Sequence, residues 1–305
     1  MELPEKNIIV SVTSDLVTDQ RVHRTALTLR EQGAKVMLVG RLKKSSLPMS
    51  SRAYHFKRFR LPFETGPLFY AAYNIRLFFF LLSAKADLLV ANDLDTLPAN
   101  FLASRLKKIP LIYDSHEYFT EVPELVGRPR VQRIWKSIER RIFPRLSHVI
   151  TVNESIAELY RKEYGLRVAV VRNLPMADLF EEDSAHQQST RLEFGIPDSP
   201  FVFLLQGAGI NVQRGAEEAV EAMRWVENAV LLIVGSGDVI TELRQRARSP
   251  GLEGKVLFLP KLPMQDLKRV TRLADAGLTL DKDTNLNYRF SLPNKLFDYI
   301  QAGLP

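Results

Sequence analysis

Ser291-Leu292-Pro293-Asn294-Lys295 leads into a segment with helical spacing close to the end of the chain. Such an entry suits an anion. Ser291 is read as a cap near the helix start and Pro293 fits the first turn, while free backbone N–H groups, the macrodipole and the Lys295 ammonium favour negative charge beside Asn294. A diphosphate is the natural guest, and Asp298, one turn further in, is a candidate acceptor for ribose hydroxyls. The bland alternative is a capped surface helix with a solvated lysine. His116 follows an apolar strand at 110–113, at the end of a sheet where ligands bind in open α/β folds, although a lone histidine there is often structural. Asp93-Leu94-Asp95 precedes a helix from Thr96, so both carboxylates are read as caps rather than as a metal pair. Gly207-Ala208-Gly209 and Gly235-Ser236-Gly237 each follow a strand but lack the third glycine of a dinucleotide fingerprint, which makes a dehydrogenase a weak reading.

The elements that position these residues come from periodicity. Strands are expected at 6–12, 35–39, 87–91, 110–113, 148–152 and 168–171, with helices at 19–32, 96–107 and 155–164 between them. The alternation resumes with strands at 201–205, 230–234, 256–259 and 276–280 and helices at 216–225, 239–247, 264–273 and 294–301. Alternating strands and helices imply parallel sheets covered on both faces. The expected fold is α/β, with two doubly wound Rossmann-like domains facing a cleft: a first domain over 1–178, a connection over 179–199 that includes the polar stretch 181–190, and a second domain over 200–305. The sequence stops at Pro305 after few strands, so the second domain is expected to be incomplete.

Composition bounds the chemistry. The 305 residues hold 46% hydrophobic and 25% charged side chains, ordinary for a globular protein of two domains. There is no cysteine, which excludes disulfides and thiolate metal sites. Residues 1–7 are polar and lack a signal-peptide pattern, and the apolar stretch 68–82, interrupted by Asn74 and Arg76, is too short to cross a bilayer. A net charge of +7 favours anionic partners. Part of that charge lies in 130–145, where five arginines and Lys136 are interspersed with Val131, Ile134, Trp135, Ile138 and Ile142 as in a basic amphipathic helix for an anionic membrane; the alternative is a domain helix with solvated charges. No aromatic platform accompanies it, so nucleic acid is not expected.

The segment from Ser291 through Pro293-Asn294-Lys295-Leu296-Phe297-Asp298-Tyr299 to Ala302-Gly303-Leu304-Pro305 resembles the donor-binding helix of glycosyltransferase family 4, whose members have the GT-B fold and retain anomeric configuration. Gln206-Gly207 followed by Arg214-Gly215 resembles the family's loop beneath the donor phosphates, and Val234-Gly235-Ser236-Gly237 its next strand end. Asp19-Gln20-Arg21-Val22 and Tyr113-Asp114-Ser115-His116-Glu117 resemble two recurrent first-domain segments. The resemblance implies that Arg214 and Lys295 neutralise a donor diphosphate, that Asp298 holds its ribose and that His116 faces the reacting sugar. The sequence departs from the pattern at Asp298 and Phe290, where glutamates are usual, near Gly209, where a second arginine is usual, and in the loop 11–15, which lacks a glycine.

The function expected is transfer of a hexosyl group from a nucleotide diphosphate sugar to an acceptor hydroxyl of a sugar or lipid-linked acceptor, in cell-surface glycan or glycolipid synthesis. No cofactor or metal is expected, because arginine, lysine and helix dipoles serve the diphosphate. The expected location is cytoplasmic, at the inner face of the plasma membrane. A non-catalytic sugar-nucleotide-binding partner and a sugar-nucleotide epimerase of related fold are the alternatives.

Overall fold

A computed structural model describes residues 5–17, 19–174, 190–207 and 209–305. Its contacts divide the chain into two units, Met1–Arg172 and Asn173–Pro305. Most of the polar stretch expected to connect the domains lies outside the described residues.

The first unit runs β1 (Asn7–Asp15), α1 (Gln20–Glu31), β2 (Lys35–Leu42), β3 (His55–Arg60), α2 (Gly66–Ser83), β4 (Leu88–Asn92), α3 (Leu97–Lys107), β5 (Leu111–Ser115), α4 (Pro123–Val126), α5 (Pro129–Ile142), β6 (His148–Thr151), α6 (Glu154–Tyr164) and β7 (Val168–Val170). Its seven strands are parallel, in the order β3-β2-β1-β4-β5-β6-β7. Central strands are buried on both faces, which is why Ile8, Ile9 and Val10 form an unbroken apolar run. Asp19 caps α1 by accepting from the Val22 N–H, and Asn153 caps α6 by accepting from the Ile156 N–H.

Three elements of this unit were not expected, the one-turn α4 among them. β3, His55-Phe56-Lys57-Arg58-Phe59-Arg60, pairs with β2 at the sheet edge, and its cations mask the pattern. α2 buries Phe69, Tyr73, Leu77 and Leu81, one stripe at a spacing of four, but has no polar face to signal a helix. The connections through α2, α3 and α5 all step across the sheet in one direction and that through α1 in the other, so right-handed crossovers place α1 on the opposite face. Among the described residues no helix is long and apolar enough to cross a membrane.

The second unit runs β8 (Phe201–Gly207), α7 (Ala216–Ala222), β9 (Ala229–Gly235), α8 (Ile240–Arg246), β10 (Val256–Leu259), α9 (Met264–Leu273), β11 (Ala276–Gly277), α10 (Leu286–Arg289) and α11 (Asn294–Gln301). Its four strands are parallel, in the order β10-β9-β8-β11. Alternate residues feed two cores: Leu205, Leu231 and Ile233 pack beneath α7 and α8, whereas Leu204, Leu232 and Val234 pack with Val270 and Tyr299. The strand expected at 276–280 shortens to two residues, and the helix expected at 216–225 becomes α7 followed by a 3-10 turn, Met223–Trp225. Tyr299 docks α11 on the sheet, its hydroxyl accepting from the Gln206 N–H at 3.2 Å and its ring lying where a side chain on Gly277 would stand.

Candidate functional site

In the second unit the loop after β8 and the start of α11 bring two cations to one carboxylate. Gly215 has φ +74°, and a Cβ there would stand 2.4 Å from the Cβ of Leu280. Glycine therefore lets this loop lie against the chain leaving β11. That approach carries Arg214 to Asp281, Nη1 to Oδ1 at 3.6 Å, with the guanidinium 4.9 Å above the Tyr288 ring. From α11, Lys295 Nζ lies 4.0 Å from the other oxygen of Asp281. The Asp281 side chain is only 8% exposed, and its Oδ1 has no hydrogen-bond partner. Burial pulls the Lys295 ammonium below its usual range; Arg214 acts in the same direction and Asp281 opposes them. Two cations thus share one loosely held buried anion, an arrangement a more highly charged anion can displace.

The glycines beside this cluster have separable reasons. Gly207 ends β8 and accepts from the Ser236 N–H at 3.2 Å. A Cβ on Gly235 would stand 1.9 Å from the Gly207 carbonyl oxygen, so the ends of β8 and β9 meet backbone to backbone. Asp298 does not stand open: its Oδ2 accepts from Gln206 Nε2 at 3.0 Å, and Gln206 Oε1 accepts from Thr271 at 2.8 Å. Asn294 begins α11 and accepts from Asn173 at 2.8 Å. The cap reading of Ser291 fails, because Pro293 holds the N-cap position without a side-chain cap bond, while the Ser291 N–H donates to the Tyr288 carbonyl.

In the first unit the ends of β1, β4 and β5 converge. His116 donates its backbone N–H to Asp93 Oδ1 at 2.8 Å, with Nδ1 3.3 Å from Asp93 Oδ2. Its Nε2 lies 3.0 Å from Asn92 Oδ1 and 3.5 Å from Asp114 Oδ2. Asn92 is oriented by its amide donating to the Ser11 carbonyl, so both imidazole nitrogens face acceptors and the doubly protonated ring fits best. Burial would lower the His116 pKa, but Asp93 and Asp114 outweigh it and the net direction is upward. Burial likewise acts to raise Asp114, yet His116 and Arg21 hold it below the usual carboxylate range. Arg21 reaches Asp114 at 2.7 Å, which joins the two recurrent first-domain segments of the sequence.

The capping expected of Asp93 and Asp95 is not found. Thr96 occupies the N-cap position of α3, and no side chain caps it. Asp93 adopts φ +59°, a conformation uncommon outside glycine, and its carboxylate turns to His116. Asp95 accepts from Thr13 at 2.5 Å, and its Oδ1 is buried without a partner. Burial, then the neighbouring Asp93, push its pKa up to about 7. Local capping rules lost here to contacts across the sheet end. Asp281, Tyr288, Arg21 and Thr13 were missed as neighbours of the candidate residues; the only available signal was that Asp281 and Thr13 fall at or just after the carboxyl ends of strands.

A seven-strand and a four-strand parallel sheet, each with candidate residues at its strands' carboxyl ends, are the architecture of the GT-B fold. The solved structures most usefully compared have that fold. The Anabaena protein HepE, in complex with UDP and glucose, is 17% identical with a TM-score of 0.72, over 99% of this chain and 80% of that one. Sucrose-phosphate synthase from Thermosynechococcus elongatus is 15% identical with a TM-score of 0.70, over 90% and 75%. MnaA from S. aureus, bound to UDP, is 13% identical with a TM-score of 0.58, over 90% and 73%. No curated protein matches the sequence. The family model Glycosyltransferase Family 4 matches residues 19–174, and the chain belongs to that family.

Proposed function

We propose that this glycosyltransferase moves a hexosyl group from a nucleoside diphosphate sugar to a hydroxyl of a sugar or lipid-linked acceptor, with retention of configuration. The observation that carries the reading is the pairing of Arg214 and Lys295 across Asp281 at the ends of β8 and β11. A diphosphate placed there accepts charge-assisted hydrogen bonds from both cations as its charge grows on bond cleavage, which is where such contacts accelerate transfer. UDP and UDP-glucose in the HepE structures, and UDP in MnaA, support a nucleotide donor. Gly207 and Gly215 give close backbone approach, Asn294 and Ser291 flank the helix entry, and Asp298 reaches the ribose by exchanging its bond to Gln206.

His116 is assigned to the transferring sugar, as an imidazolium held by Asp93 and Asn92. Cell-surface glycan or glycolipid synthesis on the cytoplasmic side of a membrane completes the reading. It is supported by α5, where Arg130, Arg133 and Arg141 line the outer face with Ile134, which is 61% exposed. The test is sugar transfer from labelled nucleoside diphosphate sugars to membrane extracts after exhaustive chelation. Transfer persists on this account, because protein cations serve the leaving group; a loss restored by magnesium or manganese would contradict it.

A further inference from the structure

Helices α2 and α3 present an uncovered apolar surface. Leu68, Ile75 and Phe79 on α2 are 58%, 59% and 63% exposed, and their spacing of seven and four places them on one helix face, away from the buried Phe69, Tyr73, Leu77 and Leu81. Leu102 and Leu106 on α3 are as exposed. The helices run side by side in the same direction, since Asn74 Oδ1 accepts from the Ala99 N–H at 3.2 Å and Lys107 Nζ donates to the Leu81 carbonyl at 2.9 Å. This levels Leu102 with residues 76–77 of α2 and Leu106 with residues 80–81, so that the exposed side chains of the two helices lie at neighbouring heights rather than as scattered singles.

Along the two helices themselves the charge has one sign, with Glu64 and Asp87 outside the ends of α2. Between Thr65 and Ala86 the charged residues are Arg76 and Lys85, and between Thr96 and Tyr113 they are Arg105, Lys107 and Lys108; neither stretch holds an acid. Beyond α3 a pocket of about 320 Å3 is lined by Phe101, Arg105, Lys108, Pro110, Arg145 and His148, again without a carboxylate. A partner must therefore be apolar over the α2–α3 ridge and anionic at its border. A bilayer bearing phosphate headgroups meets both demands at once.

We propose that the α2–α3 face is a docking surface for an anionic phospholipid membrane, with Ile75, Phe79, Leu102 and Leu106 entering the headgroup boundary and Arg105, Lys108 and Arg145 taking lipid phosphates. This rests on the membrane reading above, which α5 supports, and adds the α2–α3 face as a second contact surface.

Cosedimentation with vesicles of phosphatidylcholine, alone or with about a third phosphatidylglycerol, tests it. Binding is expected to be at least about tenfold stronger to the anionic vesicles and to weaken at high salt. The variants Ile75→Glu/Phe79→Glu and Arg105→Glu/Lys108→Glu should each lose it by at least about fivefold, while a calorimetric titration with UDP stays at the parental affinity. Equal or absent binding to the two vesicle types overturns the proposal, as do variants that bind like the parent. Binding lost only in Arg130→Ala/Arg133→Ala/Arg141→Ala would leave a membrane contact through α5 and remove the α2–α3 face. Self-association in sedimentation velocity that Phe79→Glu abolishes would assign the face to a second copy of the chain. Vesicle failure with intact UDP binding leaves the donor reading standing.

Discussion

Replacing Lys295 by alanine removes one of the two cations assigned to the diphosphate. Its side chain is 10% exposed and enters from the first turn of α11, so water replaces it poorly. Charge-assisted hydrogen bonds contribute about 1.5 to 3 kcal/mol each, which predicts a Kd for nucleoside diphosphates raised about 10- to 150-fold. Asp281 enlarges the loss, because without Lys295 it faces the diphosphate beside Arg214 alone. The double variant Lys295→Ala/Asp281→Asn should therefore bind more tightly than Lys295→Ala, and this rescue separates an electrostatic site from mere loss of packing. Since burial lowers the Lys295 pKa, parental affinity should also fall as pH rises through that lowered value. Isothermal titration with UDP and the other common nucleoside diphosphates reads all three effects. Unchanged affinity in a variant that melts normally would refute the reasoning, and absence of rescue would remove Asp281 from it.

His116→Ala should cut transfer by at least about tenfold, roughly 1.4 kcal/mol of barrier, with UDP affinity within about twofold of the parent, because His116 belongs to the unit not assigned to the nucleotide. Parental turnover in a folded variant would remove it from the site. For Asp95 the folded pKa of about 7 lies above the unfolded carboxylate value, so its contribution to stability is whole below about pH 4 and is lost as pH rises through 7. Asp95→Asn should thus gain stability relative to the parent between pH 5 and 8, by up to about 3 kcal/mol, in chemical denaturation; a pH-independent difference would show that Asp95 ionises normally.

Much of the fold was legible because strands buried on both faces must be apolar throughout, as in Ile8-Ile9-Val10 and Val230-Leu231-Leu232-Ile233-Val234. Where burial is one-sided or uniform the signal faded: β3 carries cations at the sheet edge, and α2 has no polar face to give it a period. Arg214 and Lys295 were legible from their motifs, yet Asp281 was not, since only tertiary approach across Gly215 and Leu280 joins residues so far apart in sequence. Asp93 and Asp95 were misread as caps because a local rule says nothing of His116 and Thr13 arriving from other strands.

An intact sugar should leave a nucleoside diphosphate and arrive on an acceptor hydroxyl. The direct measurement incubates the chain with anomerically labelled UDP-hexoses and membrane extracts, follows UDP release, and assigns the product's anomeric configuration by NMR. UDP should be released together with labelled glycan or glycolipid in the donor's own configuration, and both should be lost in Lys295→Ala and Arg214→Ala. A sugar altered while still attached to the nucleotide, or tight donor binding with no product from any donor, would contradict it.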